Sequence, residues 1–144
     1  MSAQAARSLV AGTAQGALAT LSADGTPWSS LVAFAATDAG DPVLCVSDLA
    51  EHGRNLHAEP RASLLVAGSP AGPDPLAAPR VTLAGRVEPG DAMARAVYLD
   101  GVPGAQAYVD MGDFRLWVLR VERVRWVGGY ARMATIDAVD YARA

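Results

Sequence analysis

The 144-residue sequence predicts one globular domain over residues 1–144, because 51% of its residues are hydrophobic and only 19% are charged. Its net charge of −3 argues against a nucleic-acid partner, since phosphate backbones are bound by basic surfaces. No apolar run approaches the roughly 20 residues of a membrane-spanning helix, and the N-terminus is too mildly apolar for a secretion signal. We therefore expect a cytoplasmic protein without a membrane partner.

Several residue types are too scarce to support common site chemistries. Cys45 is the only cysteine, so an intrachain disulfide and a thiolate metal cluster are excluded. Lysine is absent, which excludes a Schiff base to a lysine. His52 and His57 are the only histidines, and at a spacing of five they do not share a helix face. The sequence predicts no metal site.

The first part of the chain is predicted to form a helix followed by a hairpin. Residues 2–13 have the periodicity of an amphipathic helix. Residues 17–21 form a strand, and Asp24-Gly25 supplies the backbone conformation of a tight turn. Residues 28–36 form the return strand. Because this strand is apolar on both faces, we expect it to be covered on both sides.

Residues 43–65 read as a strand, a short helix and a second strand. The first strand ends at Ser47 and Asp48, both of which are residue types that cap helix N-termini. Pro60 ends the helix, because proline disfavours the helical conformation of the residue before it. A helix N-terminus beside strand edges, with His52 and Asn55 on the helix, is a candidate anion-binding corner.

The second part of the chain alternates between strands and short helices. Residues 68–79 contain four prolines and are predicted to be a loop. Strands are predicted at residues 80–88, 114–121 and 123–127, and helical segments at 91–99 and 103–109. Six or so strands at hairpin spacing predict a mainly β protein, an antiparallel barrel with flanking helices.

Arg80 begins a strand directly after the proline-rich loop. As a cation beside a loop, it is a candidate contact for an anionic ligand, and a surface salt bridge is the alternative. Asp48 and Glu51 are better explained by helix capping than as a catalytic pair. Trp117 and Trp126 are expected in the core or at an interface. No side chain is identified as a catalytic base or nucleophile.

The order of these motifs resembles that of the split-barrel flavoproteins of the pyridoxamine 5′-phosphate oxidase superfamily. The matching segments are Ala19–Leu21, Asp24–Trp28, Pro42–Ser47, Leu49–Leu56 and Glu59–Leu64. Within the superfamily, the sequence is most similar to the haem-utilisation and CREG-like branch. That similarity is carried by Leu49–Leu56, Asp74–Arg86, Tyr108, Asp113-Phe114 and Val127–Tyr130.

The resemblance implies a six-stranded antiparallel split β-barrel, a homodimer and a cofactor groove between the subunits. It implies FMN as the cofactor and an oxidoreductase activity on a small molecule that the sequence does not identify. The cations that hold the flavin phosphate in the oxidase branch align with Ser30, Ala35, Ala50, Glu51 and His52. None of these positions holds arginine or lysine here, and Glu51 would repel a phosphate.

Two alternatives follow from the same resemblance. The haem-utilisation branch carries histidine at the position of His52, which implies haem as an alternative ligand. Its haem-degrading members ligate iron through a histidine in a C-terminal extension. No histidine follows His57 here, so we do not expect that axial ligand from these residues. The CREG-like proteins imply a second alternative, a cofactor-free interaction module.

We therefore predict a binding site of five residues in a homodimer with a small-molecule ligand. Ser30, Ser47, His52 and Asn55 are assigned to the phosphate end of the cofactor. Arg80 is assigned to an anionic group across the proline-rich loop.

Overall fold

Eight strands and four short helices make up the regular structure of the chain. The computed structural model describes all 144 residues. It contains strands β1 Gln15–Leu21, β2 Pro27–Ala33, β3 Ala35–Ala36, β4 Pro42–Ser47, β5 Arg61–Ala67, β6 Arg80–Pro89, β7 Phe114–Val127 and β8 Met133–Ile136. The helices are α1 Ser2–Ala11, α2 Glu51–Ala58, α3 Ala92–Gly101 and α4 Ala138–Arg143, with 3₁₀ turns at Pro75–Ala77 and Ala105–Ala107.

The strands form one antiparallel sheet in the order β2-β1-β5-β6-β7-β4-β3, which curls into a half-barrel. β7 is long enough to have two partners on one of its edges. Its first half pairs with β4 and its second half pairs with β8, while β6 pairs with it on the other edge. The prediction of a mainly β antiparallel barrel with flanking helices is confirmed.

The predicted number of six strands is wrong, because the sheet has eight. The return strand predicted at residues 28–36 is divided at Phe34, whose amide donates to the carbonyl of Ala14 and whose side chain is fully buried. The two strands predicted at residues 114–127 are one strand, β7. β8 is a further strand that pairs with the second half of β7.

The core has two layers that meet at β4. Leu44 and Val46 belong to the main cluster inside the half-barrel, whereas Val43 and Cys45 pack against α3 on the other side. Burial raises the pKa of the Cys45 thiol to about 11, so Cys45 is a packing residue and not a thiolate nucleophile. Trp117 also lies in the main cluster, as expected.

The face of the sheet that points away from the main cluster is open over β1, β5, β6 and the second half of β7. We call this the outer face. Its side chains are Ala17, Ala19, Arg61, Ser63, Leu65, Thr82, Ala84, Arg86, Arg123 and Arg125.

The expectation that residues 28–36 are covered on both sides is wrong for this chain. Leu31, which lies opposite Ala17 on the outer face, is 73% exposed because no helix packs over this end of that face, and Trp28, which lies opposite Thr20 on the other face, is 47% exposed. An uncovered apolar residue beside an open sheet face points to the surface that the chain has available for a ligand or a partner. None of the four helices has the length and apolar character needed to cross a bilayer.

Candidate functional site

The short helix α2 is attached to the sheet by a buried polar contact. Asn55 is 4% exposed, and its Nδ2 donates to Thr20 Oγ1 over 3.0 Å. Thr20 lies on β1 and is 2% exposed. Because buried polar groups need partners, this hydrogen bond fixes α2 against β1. Asn55 therefore has a structural role, and its predicted contact with a ligand stays a prediction.

The segment that leads into α2 is organised by Ser47 rather than by a side-chain cap on the helix. Ser47 Oγ accepts from the amide of Leu49 and donates to Asp113 Oδ2 over 2.7 Å. The N-cap of α2 is Ala50, which makes no side-chain cap. The interpretation of Asp48 as a helix cap is therefore wrong.

The Asp48 carboxylate instead forms hydrogen bonds with two neighbouring side chains. Its oxygens are bonded to His57 Nε2 at 2.7 Å and to Arg115 Nε at 2.9 Å. Hydrogen bonds from His57 and from Arg115 hold the pKa of Asp48 below its usual value. The His57 ring also packs edge-on against Trp117, with the ring centroids 4.9 Å apart. These contacts attach the end of α2 to β7.

His52 differs from the other polar groups of α2 because the structure gives its ring no hydrogen-bond partner. Partial burial lowers its pKa, so the neutral imidazole is favoured. Ser30 lies on β2 opposite Leu18, on the face that carries Thr20 on the neighbouring strand. The structure therefore brings Ser30, Ser47, His52 and Asn55 to the α2 side of the half-barrel.

Arg80 lies at the opposite end of the sheet. Arg80 pairs with Ala67 on β5, whereas the strand positions beside Thr20 are Ala62 and Gly85. Ala67 is five residues from Ala62, so Arg80 lies about 17 Å along the strands from Thr20 at the usual rise per residue. Arg80 Nη1 donates to the carbonyls of Leu76 at 2.9 Å and Ala78 at 3.1 Å. These hydrogen bonds attach the Arg80 guanidinium to the backbone at the end of the proline-rich loop. Ligand binding by the five predicted residues stays a prediction.

The outer face carries a row of arginines that the sequence reasoning did not single out as a site. Arg61, Arg86 and Arg120 lie directly opposite one another on β5, β6 and β7. Like charges in directly opposed positions destabilise a sheet unless they are compensated. We call these three residues the arginine row.

Two members of the arginine row are compensated by carboxylates. Arg61 pairs with Glu59 at 2.6 Å, and Arg120 pairs with Glu88 at 2.6 Å and with Asp41 at 3.3 Å. Arg86, in the middle, has no ion-pair partner among the salt bridges of the chain. A cation between two other cations, without a carboxylate of its own, is a favourable position for an anionic ligand.

Arg86 opens onto a groove of about 340 Å³ in the outer face. Arg123 lines the same groove and likewise has no ion-pair partner. The apolar part of the lining comes from small side chains, among them Ala19 and Ala84. Glu122 contributes one carboxylate. The groove thus offers two available cations beside an apolar surface, which suits a flat ligand with negative groups at one edge.

A second groove of about 920 Å³ adjoins the first and shares Arg123 and Glu122 with it. No histidine, cysteine, methionine or tyrosine lines either groove. The two grooves can therefore bind anions and apolar surface, but they supply none of the usual side-chain donors to iron. No cluster of three potential metal ligands occurs elsewhere in the chain either.

The signal for this groove was present in the sequence. Arg80 and Arg86 alternate with apolar residues along β6, and Arg123 and Arg125 do so along β7. Period-two alternation places each set on one face of its strand. What the sequence did not reveal is that the two sets are neighbours on the same open face, because that depends on the pairing of β6 with β7.

Comparison with known proteins relates the whole chain to a family. A family model described as CREG, beta-barrel matches residues 1–143. The chain is 38% identical over 131 residues to the non-canonical heme oxygenase HOZ, chloroplastic, of Arabidopsis thaliana, covering 87% of this chain and 40% of that protein. The cytoplasmic location expected for this chain stays a prediction.

Two solved structures share the fold of this chain. A heme binding protein from Mycobacterium smegmatis is 51% identical with a TM-score of 0.95, and the match covers 100% of this chain and 61% of that one. ChuZ of Campylobacter jejuni is 18% identical with a TM-score of 0.79, covering 95% of this chain and 59% of that one, and shows the fold alone. The chain thus spans 40% to 61% of the length of these proteins. On the match over residues 1–143, the chain belongs to the CREG beta-barrel family.

Proposed function

We propose that this protein binds haem, and that the ligand lies in the outer-face groove beside Arg86 and Arg123. The observation that carries the proposal is the pair of arginines without carboxylate partners next to an apolar surface. The names of the Mycobacterium smegmatis and Arabidopsis thaliana relatives, a heme binding protein and a non-canonical heme oxygenase, support haem as the ligand.

The residues present fit two parts of haem. Its two propionates match the guanidinium groups of Arg86 and Arg123, since carboxylates and guanidinium groups form charge-assisted hydrogen bonds. Its apolar ring matches the surface that includes Ala19 and Ala84. The groove contains no iron donor, so iron coordination by this chain is not part of the proposal.

FMN with an oxidoreductase activity is the second ligand to consider, from the resemblance to the oxidase branch. Its phosphate was assigned to the α2 side, near Ser47 and His52. Two carboxylates lie there, Asp48 and Glu51, although Glu51 pairs with Arg54 at 2.8 Å. The cations near α2, Arg54, His57 and Arg115, are already paired with these carboxylates and are not free for a phosphate dianion, whereas the propionates of haem would meet Arg86 and Arg123, which have no ion-pair partner. The structure therefore favours haem over FMN.

The proposal is tested by titrating the protein with haemin and, separately, with FMN, and following the absorbance of each ligand. We expect saturable binding of haemin. Arg86→Ala should weaken haemin binding about fivefold, the size of an exposed ion pair near 1 kcal/mol. Glu122→Gln should strengthen it, because a carboxylate beside the propionates is removed. Arg54→Ala removes an exposed arginine outside the groove. This variant is the control, and its haemin affinity should equal that of the wild type.

Three outcomes decide between the alternatives. Equal haemin affinities for wild type, Arg86→Ala and Glu122→Gln would exclude the groove as the site. Binding of FMN in preference to haemin would establish the flavin alternative. If neither ligand binds, the result would favour the third alternative, a cofactor-free interaction module like the CREG-like proteins.

We also propose that the protein is a homodimer in which two copies cover part of the outer face. Leu31 and Leu65 lie on this face, on either side of Ala17, and are 73% and 42% exposed. Burial of such apolar residues drives the association of protein chains. Leu31→Asp should therefore shift the molecular mass measured by light scattering from two chains to one. The equally exposed Leu49→Asp, which lies before α2, is the control. A wild-type mass of one chain would contradict the homodimer.

A further inference from the structure

The groove depends on an irregularity in β7. Arg120 faces Arg86 and Arg123 faces Ala84, so both arginines point to the outer face although they are three residues apart. In a regular strand, residues three apart point to opposite faces. The pairing shifts between Ala84 and Gly85, which leaves Glu122 as the extra residue of a β-bulge. The bulge is therefore what places Arg123 in the groove.

The bulge lies at a gap in the sheet. β4 pairs with β7 as far as Val118, and β8 begins to pair with it at Val124. The edge of β7 between these two points has no strand beside it. A backbone amide on such an edge needs another hydrogen-bond acceptor.

Asp41 supplies that acceptor from the turn before β4. Its Oδ1 accepts from the amide of Val121 at 3.1 Å, and its Oδ2 accepts from Arg120 Nη1 at 3.3 Å. The Asp41 side chain is 15% exposed, so it is largely shielded from competing water. Its own amide donates to Thr37 Oγ1 at 3.1 Å, which orients the turn.

Gly85 completes the local structure on the other side of the bulge. A Cβ at this position would lie 1.8 Å from the carbonyl oxygen of Arg120. The close approach of β6 to β7 thus requires glycine here. Gly85 permits the bulge, and Asp41 stabilises it with a specific hydrogen bond.

We propose that Asp41, which does not line either groove, is a positioning residue for the anionic ligand. It holds the bulge of β7 and thereby keeps the Arg123 guanidinium on the outer face. This inference rests on the proposed function of the groove. Since Asp41 acts through Arg123, the loss of both residues should weaken ligand binding no more than the loss of either one.

The test is a double-mutant cycle on haemin affinity. Asp41→Ala and Arg123→Ala should each weaken haemin binding about fivefold, as expected for the loss of an exposed ion pair. The double variant should also lose about fivefold, whereas independent residues would give a loss of about 25-fold. An additive result, or an Asp41→Ala variant with wild-type affinity, would overturn the inference.

Two conservative variants separate positioning from general destabilisation. Asp41→Asn keeps an oxygen that can accept from the Val121 amide, so it should retain affinity within about twofold of wild type. Asp41→Glu keeps the charge but displaces the carboxylate, so it should behave like Asp41→Ala, and it serves if the alanine variant does not fold. Loss of affinity in Asp41→Asn as large as in Asp41→Glu would contradict the hydrogen-bonding role.

A measurement on the ligand-free protein distinguishes failure of this inference from failure of the proposed function. Hydrogen exchange of the Val121 amide should be faster in Asp41→Glu than in wild type and close to wild type in Asp41→Asn. If haemin does not bind but this exchange pattern is found, the ligand is wrong and the positioning role remains. Unchanged exchange at Val121 in Asp41→Glu would overturn the role itself.

Discussion

His52 is a side chain whose surroundings predict a pH-dependent stability. Burial lowers its pKa in the folded protein, whereas an unfolded histidine titrates near its usual value of about 6.5. The unfolded state therefore binds the proton more readily below that pH. The contribution of His52 is fully present above pH 6.5 and is lost as the pH falls through the lower, folded pKa.

This dependence can be measured by urea unfolding at pH 7.5 and pH 5.5. We expect the wild-type protein to lose more stability than His52→Gln between the two pH values, since glutamine does not titrate. Equal losses in the two proteins would show that the His52 ring is as easily protonated in the folded state as in the unfolded state.

Asn55 illustrates how far residue types alone could predict a site. A polar residue on a short helix beside a strand edge is compatible with ligand binding, and equally with a hydrogen bond between the helix and the sheet. The structure shows the second arrangement, through Thr20. Thr20 is 35 residues away in sequence, so the choice depends on tertiary packing that the local pattern around Asn55 does not contain.

At the scale of elements, the close packing of α2 on β4 depends on Gly53. A Cβ at this position would lie 2.0 Å from the carbonyl oxygen of Ser47. Gly53→Ala would otherwise favour the helix, but here it must displace the backbone. We expect it to lower the free energy of unfolding by about 1–3 kcal/mol, the usual cost of overpacking.

Denaturant unfolding of Gly53→Ala checks this expectation. Gly72→Ala is the matched control, because no atom lies within 4 Å of the added Cβ in the exposed proline-rich loop. A Gly53→Ala variant as stable as wild type would mean that α2 can move away from β4 without cost.

The elements that could be predicted from the sequence are those defined by local patterns. Alternation identified β1, β5, β6 and β7, prolines identified the loop at residues 68–79, and the helical segment predicted at residues 91–99 is α3, whose N-cap is Asp91. The bulge at Glu122 could not be predicted, because it depends on Gly85 in another strand and on Asp41 in a distant turn. The break at Phe34 likewise depends on a bond to Ala14.

At the scale of the whole molecule, charge is distributed unevenly. The chain carries a net charge of −3, yet Arg61, Arg86, Arg123 and Arg125 all lie on the outer face. The overall negative charge does not describe this face, because net charge is a sum and a local positive site is set by how the charges are distributed. The family match explains the half-barrel as a shared fold, whereas the arginines that line the groove are the chemistry proposed for this chain.

The proposed haem site depends on contacts of Arg86 and Arg123 with the two propionates of haem. These contacts can be tested by comparing the affinities of the protein for haemin and for haemin dimethyl ester, whose propionates carry no charge. We expect wild type to bind haemin about 25-fold more tightly than the ester, with about fivefold from each arginine, and the Arg86→Ala/Arg123→Ala double variant to bind both equally. Equal affinities of the wild-type protein for haemin and for its ester would show that the two arginines do not bind the propionates.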